Sequence, residues 1–170
     1  MGETTPPSLT ALGGKPLPGT IEAAGKQYAL QKVFKNDFFA VTALYEGSAG
    51  KVILKVQRQA SFFGVPLRWA GRLLAAREWR ALQRLADLDG IPRPICFRGT
   101  TGVVREYVEG RPMRRGEPVP DDFHERLRRL IVAIHQRGMA YVDLEKCENV
   151  LVGDDGKPVA SFYEYYAYRR

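Results

Sequence analysis

The sequence has few of the residues that cross-link or metallate small proteins. It contains 2 cysteines, Cys96 and Cys147, and 2 histidines in 170 residues, too few for a disulfide framework or a zinc site of their own. We therefore expect a reducing, cytoplasmic setting. No apolar run approaches the ~18 residues that span a bilayer. The first twenty residues lack the basic start and apolar stretch of a secretory signal.

Charge is not balanced. Lysine and arginine number 26 against 19 aspartates and glutamates, giving a net charge of +7. A positive surface attracts phosphate-bearing partners such as nucleic acid, nucleotide or anionic lipid, but it does not choose among them. Ordinary solvated arginines on helix faces explain the excess equally well. The 45% hydrophobic and 26% charged content excludes a disordered acidic tail, a collagen-like repeat and a coiled coil.

The order of predicted elements suggests a small sheet followed by helices. Residues 1–20 are rich in Pro, Gly, Ser and Thr and predict a flexible tail. Alternating patterns and turn signals predict strands, and apolar residues at helical spacing predict two helices. The expected strands are Gln31–Lys35, Phe38–Tyr45, Lys51–Val56, Ile95–Arg98, Val103–Val108, Val150–Val152 and Pro158–Phe162. The expected helices are Leu67–Leu88 and one beginning at Phe123, capped by Asp121 and Asp122 and ended by Gly138.

Two charged residues lie where the pattern is apolar. Lys55 is within an apolar strand, and Glu78 lies about 40° from both Leu74 and Leu82 on the helix, inside its apolar stripe. A buried carboxylate is unfavourable unless it is paired. Pairing Glu78 with Lys55 satisfies both groups. The alternatives are a solvent-facing lysine and a boundary glutamate that pairs with a neighbouring arginine.

These residues carry a family resemblance. The stretches that match are Val52–Lys55, Ala76–Trp79, Arg105–Gly110, His135–Leu144 and Asn149–Val152. Over about residues 30–162 the sequence resembles the protein-kinase-like superfamily, and most of all the small bacterial RIO-type and lipopolysaccharide-core (Kdo/heptose) kinases. The resemblance implies a two-lobed α+β fold. Its N-lobe, residues 21–110, would hold an antiparallel sheet and one αC-type helix, and residues 111–170 a partial helical C-lobe with the catalytic loop.

The resemblance also implies ATP and Mg²⁺ as cofactors and assigns roles around them. Lys55, held by Glu78, would grip the α- and β-phosphates. Asp143 would prepare the acceptor hydroxyl, and Asn149 would be a ligand of Mg²⁺.

The adenine and the phosphates would also meet backbone groups. The backbone of Glu106, Tyr107 and Val108 would bind the adenine edge. The turn around Lys35 would approach the phosphates through its backbone amides, with help from the Lys35 side chain.

The sequence departs from the family pattern in four places. The turn Lys35–Phe38 replaces the glycine-rich loop, and Asn149 follows Asp143 by six residues instead of five. Ser161 stands where the metal-binding aspartate of the DFG-type motif belongs. The chain ends at Arg170, soon after that motif, so we expect a truncated or degenerate kinase.

Three functions therefore remain open. The first is an ATP-dependent phosphotransferase that acts on a protein Ser/Thr or a saccharide hydroxyl. The second is an inactive pseudokinase that binds nucleotide or a protein as a scaffold, which Ser161 favours. The third, a nucleic-acid-binding module using the arginines of 68–84 and 111–129, lacks a recognised motif.

An aromatic and basic segment, residues 61–74, also has two explanations. Phe62, Phe63 and Trp69 could contact a membrane surface, at the inner face of a membrane for a cytoplasmic enzyme with a lipid-linked saccharide acceptor. They could instead pack between the lobes, which we expect.

Overall fold

A computed structural model of the chain describes residues 6–141, 147–160 and 165–167. The strands are β1 Thr20–Ala23, β2 Lys26–Asn36, β3 Ala40–Gly47, β4 Gly50–Gln57, β5 Pro94–Arg98, β6 Gly102–Glu106, β7 Gly110–Pro112, β8 Met139–Tyr141, β9 Val150–Gly153, β10 Pro158–Ala160 and β11 Tyr165–Ala167. The helices are α1 Arg68–Leu85 and α2 Phe123–Gln136, with 3-10 turns at Pro7–Leu9 and Cys147–Asn149. No helix in the described ranges is long and apolar enough to cross a bilayer.

The chain divides into two compact units. The first contains Met1–Trp79 and Pro94–Tyr107, and the second contains Arg80–Arg93 and Val108–Arg170. Helix α1 belongs to the first unit as far as Trp79.

The first unit is an antiparallel sheet of six strands in the order β1-β2-β3-β4-β6-β5. One face of the sheet carries its core, because alternate residues of each strand point to the same side. The buried members of this core are Ile21, Ala23, Tyr28, Val41, Ala43, Tyr45, Val52, Leu54, Val56 and Val104. The prediction of an antiparallel N-lobe sheet with one long helix is confirmed, with element ends that differ by a few residues.

The sheet begins earlier than the sequence predicts. Strand β1 pairs with the start of β2 through a turn in which Ala24 has φ +50° and Gly25 has φ +73°. Strand β3 begins at Ala40 and not at Phe38. The predicted tail, residues 1–20, contains the 3-10 turn Pro7–Leu9 and the buried residues Thr10 and Ala11, so this part of it packs against the unit.

The second unit combines helix α2 with two small sheets, β10-β9-β7 and β11-β8. Phe123, Leu130 and Ile134 are the buried residues of α2, as its apolar stripe predicts. The predicted side-chain cap is wrong. Asp122 is the N-cap residue but makes no side-chain capping hydrogen bond, because its carboxylate pairs with Arg126 one turn later. The sequence pattern does not predict strands β7, β8 and β11.

Candidate active site

The centre of the candidate site is a buried ion pair in the first unit. Lys55 Nζ lies 3.1 Å from Glu78 Oε2, and the two side chains are only 7% and 8% exposed. On strand β4, Val52, Leu54 and Val56 face the core. Because strand side chains alternate, Lys55 points to the opposite face, where α1 supplies Glu78. The pairing that the sequence predicts is therefore present.

A second residue of β4 supports Glu78. Gln57 lies two positions after Lys55, on the same face, and its Nε2 donates a 2.9 Å hydrogen bond to Glu78 Oε2. The other oxygen, Oε1, is buried and has no hydrogen-bond partner among the described residues. The sequence pattern did not single out Gln57. Its signal was a polar residue in phase with Lys55 at the end of an apolar strand.

Helix α1 packs closely against the end of strand β4 at a glycine, Gly71. A Cβ at Gly71 would lie 2.0 Å from the carbonyl oxygen of Arg58, closer than any real contact. Glycine weakens a helix interior by roughly 1 kcal/mol relative to alanine, so its presence here reflects close helix–strand packing. Glu78 follows Gly71 by seven residues, two helical turns, and so shares its face.

The turn between β2 and β3 is closed by a carboxylate. Asp37 Oδ1 accepts hydrogen bonds of 2.9 Å from the backbone N–H groups of Phe39 and Ala40, and Oδ2 lies 2.6 Å from Lys35 Nζ. Burial opposes ionisation of Asp37, but the hydrogen bonds from Lys35, Ala40 and Phe39 outweigh it and lower the pKa of the carboxyl. Two amides and the lysine that we expected to meet phosphate are thus bonded to Asp37.

Arg58 joins this turn to two other segments. Its guanidinium is buried and donates hydrogen bonds to the carbonyl oxygens of Phe38, Ser8 and Ser61 at 2.7, 3.0 and 3.1 Å. It also lies 3.8 Å from the centre of the Phe38 ring. Burial lowers the pKa of Arg58. Sequence alone did not single out this residue, although it follows directly on a buried strand.

The proposed adenine-binding backbone lies at the end of strand β6. Glu106, the last residue of that strand, pairs with Val52 of β4. The Tyr107 ring lies 5.5 Å from Lys51 Nζ, and the first unit ends at Tyr107, so the second begins with Val108. The role of this segment stays a prediction.

Of the residues considered for metal binding and catalysis in the second unit, the structure describes only Asn149. Asn149 is buried at the end of the 3-10 turn Cys147–Asn149. Asp143 and Ser161 lie outside the described residues. Within the described ranges, no group of three or more His, Cys, Asp or Glu side chains is placed to hold a metal ion. The role of Asn149 as a ligand of Mg²⁺ therefore stays a prediction.

The expectation that Phe62, Phe63 and Trp69 pack between the lobes is wrong for two of them. Phe63 and Trp69 are exposed. Phe62 is half-buried against Phe38, with ring centres 5.0 Å apart. The aromatic character of the segment is visible in the sequence, but the exposure of Phe63 follows from its position in a tight turn.

The sequence matches no protein-family model and no curated protein. Solved structures do share its fold. The chain aligns over 82% of its length with 49% of the Rio2 kinase from Chaetomium thermophilum in an ADP/Mg²⁺-phosphoaspartate complex, with a TM-score of 0.62 and 20% identity. Another structure of the Rio2 kinase from Chaetomium thermophilum aligns over 81% of this chain and 50% of its own, with a TM-score of 0.59 and 20% identity.

The chain thus spans about half the length of these kinases. At this level of identity the similarity concerns architecture, and the conclusion is that the chain has a protein-kinase-like fold.

Proposed function

We propose that this protein binds ATP and transfers its γ-phosphate to a protein Ser/Thr or a saccharide hydroxyl, in the cytoplasm where ATP is available. The observation that carries the proposal is the buried Lys55–Glu78 pair, 3.1 Å apart, in a fold that matches Rio2 kinases. Two charges are removed from water at a considerable desolvation penalty. A phosphate-binding role accounts for keeping them there.

Each residue then has a defined task. Glu78 and Gln57 fix Lys55 so that its ammonium group meets the α- and β-phosphates. The backbone of Glu106, Tyr107 and Val108 binds the adenine. ATP supplies the phosphoryl group, and the Mg²⁺ bound to it offsets the negative charge of the phosphates.

The second unit would contribute two side chains. Asn149 offers an amide oxygen to Mg²⁺, a hard ligand that suits this ion. Asp143 orients the acceptor hydroxyl and accepts its proton. Lys35 reaches a phosphate only after it leaves Asp37.

A thermal-shift titration with ATP, with and without Mg²⁺, tests nucleotide binding. Ligand at about 100 times its Kd stabilises a protein by about 2.7 kcal/mol. The parent protein should be stabilised. Lys55→Met/Glu78→Leu, which replaces the pair with apolar groups, should stay folded and should not respond. Lys26→Met/Glu22→Leu, at exposed residues of β2 and β1, is the control with the same two charge changes. If the parent does not respond to ATP, the proposal is wrong.

The sequence also favours a second candidate, an inactive pseudokinase, because Ser161 replaces a metal-binding aspartate. A neutral hydroxyl is a weak Mg²⁺ ligand compared with a carboxylate. The pseudokinase predicts ATP binding that does not depend on Mg²⁺ and no transfer of radiolabelled phosphate. Ser161→Asp should then introduce Mg²⁺ dependence. Transfer by the parent protein would exclude the pseudokinase.

A further inference from the structure

A phenylalanine occupies the tip of a tight hairpin in an unfavourable backbone conformation. Phe62 and Val65 exchange both backbone hydrogen bonds, each 2.9 Å long. The two turn residues between them, Phe63 and Gly64, have φ of +46° and +78°. Such turns prefer Asn-Gly, since left-handed φ is disfavoured for a bulky side chain. The Phe63 side chain is 91% exposed, so neither its backbone nor its burial benefits the fold.

Other large apolar side chains are exposed on the helix that follows this tip in the sequence. Trp69 is 60% and Leu73 is 63% exposed, and they lie four residues apart on α1, on one face of the helix. A chain of ring contacts joins Phe63 to Phe39 through Phe62 and Phe38, with centre distances of 4.4, 5.0 and 5.1 Å. We call the exposed set the aromatic surface; its members are Phe39, Phe63, Val65, Trp69 and Leu73. Contiguous exposed apolar residues usually mark an interaction site.

The charges on the segment that carries most of the aromatic surface have one sign, whereas Asp37, beside Phe39, is paired with Lys35. From residue 47 to residue 86 the chain has eight basic residues and a single acidic one, Glu78, which is buried against Lys55. Helix α1 has no acidic residue in its first turn, where instead Arg68 begins the helix and Arg72 follows. Positive charge at a helix N-terminus opposes the helix dipole. Arg72 Nε donates a 3.3 Å hydrogen bond to Thr100 Oγ1, but neither arginine gains from the helix dipole, and an anionic partner would suit both.

We propose that the aromatic surface docks on an anionic membrane. Phe63, Trp69 and Leu73 would enter the boundary between headgroups and acyl chains, and Arg68 and Arg72 would contact lipid phosphates. Apolar insertion combined with basic residues is the pairing that gives stable peripheral binding. Nucleic acid explains the arginines and the aromatic rings, but it offers no partner for aliphatic side chains such as Leu73. Docking does not depend on the proposed nucleotide binding.

Co-sedimentation with lipid vesicles tests the proposal, using phosphatidylcholine alone and phosphatidylcholine mixed with phosphatidylglycerol. The parent should bind the mixed vesicles. Phe63→Asn should bind them roughly tenfold less, since it removes one inserted aromatic side chain. The same variant should melt at or above the parent's temperature, because Asn tolerates left-handed φ. A residue with only a structural role would show the opposite pattern.

Charge variants separate specific docking from general attraction. Arg68→Gln/Arg72→Gln should weaken binding to the mixed vesicles by roughly fivefold for each arginine lost. Arg114→Gln/Arg115→Gln, an equal charge change on an exposed loop of the second unit, should bind like the parent. In a Trp79→Phe background, the Trp69 fluorescence should shift to the blue and be quenched by brominated lipid.

Four results would overturn the proposal. They are no binding to the mixed vesicles, equal binding by the parent and Phe63→Asn, equal losses in the two arginine pairs, and Trp69 fluorescence that brominated lipid leaves unquenched. Salt-sensitive retention on RNA that Phe63→Asn leaves unchanged, together with no vesicle binding, would assign the surface to nucleic acid instead.

Discussion

Gly71 of helix α1 lies against the carbonyl oxygen of Arg58, where a Cβ would come within 2.0 Å of that oxygen. This contact fixes the distance between the helix and the end of strand β4. Two helical turns later, the same helix face presents Glu78 to Lys55. The ion pair therefore requires the close approach of helix α1 to Arg58 at Gly71.

Gly71→Ala should separate the helix from the strand. The expected loss of stability is about 1–3 kcal/mol, the usual effect of overpacking, even though alanine favours a helix. The stabilisation by ATP should fall as well, because Glu78 moves away from Lys55. Urea unfolding and the thermal-shift titration measure both. Gly19→Ala, where the added Cβ meets nothing within 4 Å, is the matched control, and an equal response of the two variants would contradict the argument.

Lys55→Met should destabilise the protein more than the double variant Lys55→Met/Glu78→Leu. The single change leaves the Glu78 carboxylate buried without the ammonium group, at a penalty of about 3 kcal/mol or more. The double variant removes both charges and should recover most of that loss. The measurement is the midpoint of urea unfolding across the full double-mutant cycle. Equal stability of the single and double variants would mean that the pair is not coupled.

Asp37→Asn should strengthen binding of ATP. The asparagine side chain keeps an oxygen that accepts the hydrogen bonds from Phe39 and Ala40, but it removes a negative charge from the turn expected to face the phosphates, and it releases Lys35. We expect an affinity gain of about fivefold, equivalent to about 1 kcal/mol for charges a few ångströms apart in water. Calorimetric titration with ATP and with adenosine measures it. Adenosine carries no phosphate and should bind unchanged; equal gains for both ligands would show that the turn does not face the phosphates.

Glu125 should make the stability of helix α2 depend on pH. Hydrogen bonds from Arg128 and Arg129 lower the pKa of Glu125 from 4.5 to about 2. A lowered folded-state pKa gives stability that is present above about pH 4.5 and is lost as the pH falls toward 2. Glu125→Gln should therefore melt below the parent at pH 7, and the gap should close over that acidic range. The gap should also shrink with added salt, because these side chains are exposed.

Glu22→Gln, the same substitution on strand β1, serves as its control, since Glu22 lies outside α2. A gap for Glu125→Gln that persists at pH 2 would mean that lost packing, and not lost charge, causes the difference.

Much of the first unit follows from local sequence. The alternation of β4 and the helical period of α1 predict that Lys55 and Glu78 each lie on a buried face. Both patterns are properties of a few consecutive residues, so they can be recognised without knowledge of the rest of the chain. Strand β1 was not predicted because Ala24 takes the left-handed φ that turn rules assign to Gly or Asn, so no turn signal separates β1 from β2.

The remaining features depend on contacts between distant segments. The sequence determined the order of strands and helices, the apolar faces and the charged pair set within them. Only the tertiary structure decided that α1 rests on Arg58 at Gly71, that Gln57 supports Glu78, that Asp37 closes the turn, and that Phe63 projects from its hairpin. The face on which a residue lies follows from the repeat of its own helix or strand. Whether another segment covers that face, and which one, depends on packing between segments that are far apart in the chain.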